Sequence, residues 1–162
     1  MAKMLPSEDG LDPIDAKILE IVRRAARTPN TEIAAEVGIA QSTAHARLRA
    51  LEARGVVTGY EAVVDQRELG HTIQALIGVT LRPGARQSHI TTFADDTRAL
   101  PEVTQMFFIG GLDDFIIHIA VEDSSALRRF VVDHLSGHAS VASTRTSLIF
   151  EYSRNGVTAP FQ

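Results

Sequence analysis

The stretch Asn30-Thr31-Glu32-Ile33-Ala34-Ala35-Glu36-Val37-Gly38-Ile39-Ala40-Gln41-Ser42-Thr43-Ala44-His45-Ala46-Arg47-Leu48-Arg49-Ala50-Leu51-Glu52-Ala53-Arg54-Gly55-Val56-Val57-Thr58-Gly59-Tyr60 decides how the chain is read. Its first part puts Ile33, Ala34 and Val37 on one face of a short helix. Gly38 ends that helix, because glycine takes the left-handed conformation at no steric cost. Asn30 carries a side-chain oxygen suited to cap its start. After a turn of about three residues a longer helix is predicted over 41–54, with Gly55 following its end. Two helices joined by a glycine-containing turn of this length form a helix-turn-helix.

At about 100° per residue, Ala44, Leu48 and Leu51 fall within roughly 60° of one another on the second helix and form its buried stripe. Ser42, His45, Ala46 and Arg49 then point away, with Thr43, Arg47 and Arg54 on the flanks and Gln41 at the start. This outward face is short, polar and cationic, with no carboxylate before Glu52. Small side chains let a helix backbone approach a DNA groove. Arg can grip guanine edges or phosphates, and Ser, Thr and His can donate or accept at bases. Gln41, Ser42, Thr43, His45, Arg47 and Arg49 are therefore the candidate DNA-binding residues. An ordinary solvated helix face is the alternative reading of the same pattern.

A formal charge of −4 argues at first against a nucleic-acid binder. The distribution weakens that objection. Residues 1–60 hold eight Lys/Arg and eight Asp/Glu, whereas residues 61–162 hold eight and twelve. Three arginines meet only Glu52 between Gln41 and Arg54, a local basic face that a dimer would double. With no Cys there is no disulfide, thiolate nucleophile or thiolate metal site. Residues 1–10 lack the apolar core of a signal peptide and read as a lead-in. The longest strongly apolar run, 115–121, is broken by His118 and too short to span a bilayer. A cytoplasmic protein without membrane attachment is expected.

Working outward, Asp12-Pro13-Ile14-Asp15 reads as a helix start, with Asp12 at the cap and Pro13 in the first position. Ile14, Ile18, Ile21, Val22 and Ala25 form that helix's buried face, and Thr28-Pro29 ends it. Residues 56–65 suggest a connecting strand and 66–70 a turn. Beyond these, the pattern alternates: a strand over 73–81, a helix over 87–100, a strand over 103–109 and a turn at Gly110-Gly111-Leu112-Asp113. A strand follows over 114–121, then a helix capped at Ser124-Ser125 and a last strand over 141–152. The order βαββαβ is the ferredoxin-like arrangement, one antiparallel sheet with two helices on one face. The other face is left bare, and a second copy of the chain is its natural cover. The fold class is α+β, with a three-helix helix-turn-helix domain at 11–55, a connecting strand and linker at 56–71, and a ferredoxin-like domain at 72–152.

The run Leu48-x-x-Leu51-Glu52-x-x-Gly55-Val56-Val57-x-Gly59-Tyr60, preceded by Leu11-Asp12-x-Ile14-Asp15-x-x-Ile18-Leu19, resembles the N-terminal half of the Lrp/AsnC transcription regulators. Gly111-Leu112-Asp113-Asp114-Phe115 and Thr144-Arg145-Thr146-Ser147-Leu148-Ile149 are similar to that family's hairpin and last strand. One departure is Ala40, where the family usually has a capping Ser, so either Ser42 starts the helix later or packing alone holds it. The resemblance implies a sequence-specific regulator of double-stranded DNA, built as a homodimer that assembles into higher oligomers. It also implies a small-molecule effector, usually an amino acid, at the seam between dimers. On that basis Gly111, Leu112, Asp113, Asp114, Thr146 and Leu148 are the candidate effector-binding residues. Asp114 would meet the ammonium group directly or hold the loop from behind. As a turn alone, Gly and Asp need no ligand to explain them.

No catalytic residue, cofactor or metal is expected. His134 and His138 have helical spacing, but Gly137 lies between them and no third ligand is evident. The Gly110-Gly111 pair sits between two strands, whereas a dinucleotide loop runs from a strand into a helix. The rival class is a metabolic or ligand-binding protein that uses the helices for assembly. An architectural DNA-binding protein with no effector is a further alternative.

Overall fold

A computed structural model of the chain describes residues 11–84 and 87–152. The chain divides after Val63 into two compact units. In the first, α1 (Pro13–Arg24), α2 (Asn30–Val37) and α3 (Gln41–Ala53) enclose a small core. Asp12 caps α1 as its sequence predicts: its carboxylate accepts the Ile14 N–H at 2.7 Å, and Pro13 follows in the first turn. Gly38 takes φ 78° after α2, the left-handed conformation that lets the chain turn toward α3. Ile18, Ile21, Val22, Ile33, Ala34, Ala44 and Leu51 are buried together, so α3 packs with the stripe foreseen for it.

Two helix starts differ from expectation. Asn30 is the first residue of α2, which Pro29 precedes with no side-chain cap. The Asn30 amide is turned instead toward α3. The start of α3 likewise has no capping side chain: Ala40 stands there in extended conformation, and helical structure begins at Gln41. Packing, not capping, holds this helix.

Residues 56–65 form no strand. The β-branched content is there, but a strand exists only where a ladder partner takes up its N–H and C=O groups, and among the described residues no strand pairs with this segment. The turn at 66–70 is present.

The second unit contains β1 (Ile73–Leu81), α4 (Gln87–Arg98), β2 (Val103–Phe108), β3 (Phe115–Val121), α5 (Ser124–Phe130) and β4 (Val141–Ile149). The sheet order is β2-β3-β1-β4 and every pairing is antiparallel, the ferredoxin-like topology that the βαββαβ order predicts. Asp123, rather than the two serines, caps α5, its carboxylate accepting the Ala126 N–H at 2.7 Å. The helix then widens into a π-helical segment, Val131–Ser136.

The register separates the two sheet faces, since directly paired residues point the same way. Ala75, Ile77 and Val79 lie opposite Ile119, Ile117 and Phe115 and form the core with Phe93, Phe130 and Leu135. Leu76, paired with His118, and Gly78, paired with Ile116, lie on the other face. Phe107 and Arg145, across from Ile116 and Gly78, also lie there. Leu76 and Phe107 remain 39% and 50% exposed, so this face is bare as expected. It is not wholly apolar, because Arg145 and His118 stand in it.

Candidate DNA interface and ligand loop

Ala44 and Leu51 fix how α3 is rotated. Both are fully buried against α1 and α2, and this turns Gln41, Ser42, Thr43, His45 and Arg49 out to solvent. Arg49 pairs with Glu52 at 3.3 Å, one turn along the same helix, with its side chain 71% exposed. An ion pair this open is worth little and gives way readily to a phosphate or base edge. Glu52 is also held by the Tyr60 hydroxyl, which donates to it at 2.9 Å.

Arg47 differs from the other candidates. Its guanidinium reaches toward α1, 2.9 Å from Asp15 and 3.4 Å from Asp12. The hydrogen bond to Asp15 raises its pKa further above the ordinary arginine value. Asp12 is held below the usual carboxylate range, first by the Ile14 N–H and also by the charge of Arg47. The cationic flank read from helical spacing is thus occupied by two carboxylates, the cap of α1 and Asp15 in its first turn.

His45 is engaged in a different way. The Asn30 side-chain amide lies 3.0 Å from the His45 Nδ1. Helical spacing could not show this contact, because it joins two helices across the turn.

In the second unit, the turn between β2 and β3 is closed by the Ile109 N–H donating to the Asp114 carbonyl at 2.8 Å. Gly110, Gly111 and Leu112 project beyond it, and Leu112 is 87% exposed. The two carboxylates are already used within the fold. Asp114 accepts the Leu81 N–H on its Oδ2 at 2.6 Å, and its own N–H donates to the Val79 carbonyl at 2.9 Å. Both bonds tie Asp114 to β1.

Asp113 is only 8% exposed and meets the Arg145 guanidinium at 2.6 Å. It lies over Gly78, where an added Cβ would stand 2.6 Å from the Asp113 carboxylate. A glycine in the middle of a strand is the sequence signal for such a close approach, and Arg145 and Gly78 are the residues that sequence reasoning missed here.

Thr146 and Leu148 are exposed on β4, paired with Ile77 and Ala75. That pairing places them on the opposite sheet face from Arg145. Leu148 also lies beside Ala75, about 13 Å along β1 from Val79, where the loop is anchored. Within one chain the structure does not join them to Gly111–Asp114.

His134 and His138 face aromatic rings, with His134 5.5 Å from Phe130 and His138 5.1 Å from Phe93 between ring centres. Among the described residues no group of three or more His, Cys, Asp and Glu is arranged to hold a metal.

Comparison with known proteins gives this geometry its context. Residues 74–155 match the Lrp/AsnC ligand binding domain, and residues 11–58 match a winged helix-turn-helix DNA-binding domain. The chain is 44% identical over 144 residues to the HTH-type transcriptional regulator AldR of Mycolicibacterium smegmatis, covering 89% of this chain and 84% of that protein. It is 32% identical to the leucine-responsive regulatory protein of Rhizobium meliloti, covering 85% and 88%. A transcriptional regulator of Neisseria meningitidis, solved as its L-Met complex, superposes with a TM-score of 0.83 at 29% identity, covering 93% and 97%. No helix among the described residues is long and apolar enough to cross a membrane. With a recognition-type helix, a ligand-domain fold and relatives of this kind, the chain belongs to the Lrp/AsnC family of DNA-binding transcription regulators.

Proposed function

We propose that the chain regulates transcription in the cytoplasm in response to an amino acid, reading DNA as a dimer and without catalytic activity of its own. The observation that carries the DNA half is the outer face of α3, which offers Gln41, Ser42, Thr43, His45 and Arg49 to solvent from a helix whose back is fully packed. A rigid helix with short polar side chains and one loosely paired arginine suits a major groove. Arg47 sets the helix against α1 in this scheme and does not read bases. Arg49→Ala should weaken binding to the preferred duplex by about 1–3 kcal/mol if it reads a base edge. Fluorescence anisotropy on specific and random duplexes across a salt series tests this. Equal loss on both with a shallower salt slope would make Arg49 a phosphate contact, and no loss on either would remove α3 from the groove.

The effector half rests on the loop between β2 and β3. Exposed backbone at Gly110 and Gly111 offers dipoles to a carboxylate and an ammonium group, while Asp114 holds the loop's shape. The L-Met complex of the Neisseria regulator supports an amino acid as the ligand class. Thr146 and Leu148 join such a site only if another copy brings them to the loop, so the proposed site lies at a seam between copies. A ligand that binds only the folded state raises the melting temperature. A thermal-shift series with each of the common amino acids therefore tests this half. No rise with any of them would leave a DNA-binding protein without an amino-acid effector.

A further inference from the structure

We propose that Asn30 is a positioning residue that fixes the tautomer of His45, so that His45 reads a guanine in the major groove as a pure hydrogen-bond donor. This rests on the reading that α3 enters the groove. Asn30 begins α2 and His45 lies on the exposed face of α3, and their side chains meet at 3.0 Å between the Asn30 Nδ2 and the His45 Nδ1. An amide nitrogen donates and cannot accept. With the amide nitrogen turned to the ring, the imidazole Nδ1 carries the lone pair, which leaves the proton of the neutral ring on Nε2. Because the contact spans the turn of the helix-turn-helix, it also orients the ring, leaving Nε2 at the free end of an exposed side chain.

The tautomer determines what the residue can recognise. With a hydrogen on Nε2, His45 offers one donor, which guanine N7 and O6, adenine N7 and thymine O4 can all accept; guanine is favoured because it alone sets two acceptors side by side with no donor between them. The opposite tautomer would present an acceptor at Nε2 and favour the exocyclic amino group of adenine or cytosine. Asn30 thus selects between two base preferences without itself touching DNA. The interaction also accounts for Asn30 standing at the first position of an uncapped helix, where its side chain is free to reach α3.

The test uses the full-length chain and the duplex it selects from random DNA. Replacing one guanine with 7-deazaguanine removes its N7 acceptor. At one guanine in each half-site this should weaken wild-type binding about five- to fiftyfold. His45→Ala should bind the normal and modified duplexes alike. Asn30→Ala should lose about three- to tenfold on the normal duplex only, and nothing further when added to His45→Ala. Long-range ¹H–¹⁵N correlation on the free protein should show the hydrogen on Nε2 and a bare Nδ1 at a pH where the ring is neutral.

Asn30→Ala weakening all duplexes equally, and equally in the His45→Ala background, would make the contact a helix fastener and overturn the inference. A hydrogen on Nδ1 would overturn it independently of any variant's folding. If a selected sequence and the Arg49→Ala loss are both found but no guanine is coupled to His45, this inference alone fails. If the chain selects no sequence, the placement of α3 fails with it.

Discussion

The Asp15 carboxylate lies 2.9 Å from the Arg47 guanidinium and 3.8 Å from that of Arg54, at the far end of the same helix. One acid of α1 therefore holds α3 at two points a little under two turns apart, which fixes the tilt of the face it presents. Asp15 is 8% exposed, and removing its charge takes from Arg47 and Arg54 the acid they share, leaving Arg47 with Asp12. Asp15→Asn should destabilise the helical unit by about 1–3 kcal/mol, read from a lower urea midpoint at unchanged m value. It should also weaken binding to all duplexes without changing the preferred sequence, whereas the variants of His45 change preference. Similarly, Gly78→Ala drives a methyl group into the space of the Asp113 carboxylate and should cost about 1–3 kcal/mol as the pair with Arg145 gives way. A melting temperature equal to wild type would show that Asp113 can leave without loss. Contacts at this scale were the least legible in the sequence. Helical periodicity tells which way Arg47 points from its own axis, but not that Asp15, thirty-two residues earlier, waits there.

Elements were far more legible, and the exceptions have physical causes. The stripe of α3 follows from side-chain period, and the strand at Ile73–Leu81 from a dense run of β-branched and aliphatic residues that Pro83-Gly84 closes. The extended segment at 56–65 could not be judged the same way, because β-branched content reports local preference whereas a strand also needs a neighbour to bond with. The π-helical segment Val131–Ser136 carries no distinctive residue pattern, since its apolar positions also fit an α-helix. Ala40 is the clearest case in which sequence and structure agree on a weakness. Its φ of −69° and ψ of 147° are already those of a capping residue, yet it has no oxygen to offer. Ala40→Ser should supply that oxygen and stabilise the helical unit by about 1 kcal/mol, raising its melting temperature by roughly 4–8 °C. Calorimetry would resolve that rise. An unchanged transition would mean that the packing of Ala44 and Leu51 leaves the helix start nothing to gain.

At the scale of the molecule, the bare sheet face joins stability to the proposed dimer. His118 stands in that face on β3, its Nε2 3.0 Å from the Gln74 side-chain oxygen and its ring 6.2 Å from that of Tyr152. The oxygen of Gln74 accepts, so the Nε2 carries the hydrogen. Partial burial disfavours the charged ring and lowers its pKa below the ordinary value of 6.5. Between the lowered folded value and the unfolded value near 6.5, the unfolded chain binds more protons, so stability rises with pH across that window. Above it, neither state is protonated and the slope vanishes. Below it, both states are protonated and the full contribution has been lost.

A second copy packed over Leu76 and Phe107 would deepen the burial of His118, lower its pKa further and extend the window toward acid. The acid sensitivity of the dimer should then exceed that of the monomer. Leu76→Lys, which puts a charge into the same face without touching the core beneath it, should yield monomers by analytical ultracentrifugation. In wild type, the melting temperature should fall as pH drops from 7 to 5 and depend on protein concentration throughout. His118→Gln should retain the concentration dependence and lose much of the pH dependence. If His118→Gln follows the wild-type pH curve at every concentration, the titrating group lies elsewhere. If Leu76→Lys remains dimeric, this face of the sheet is not where two copies meet.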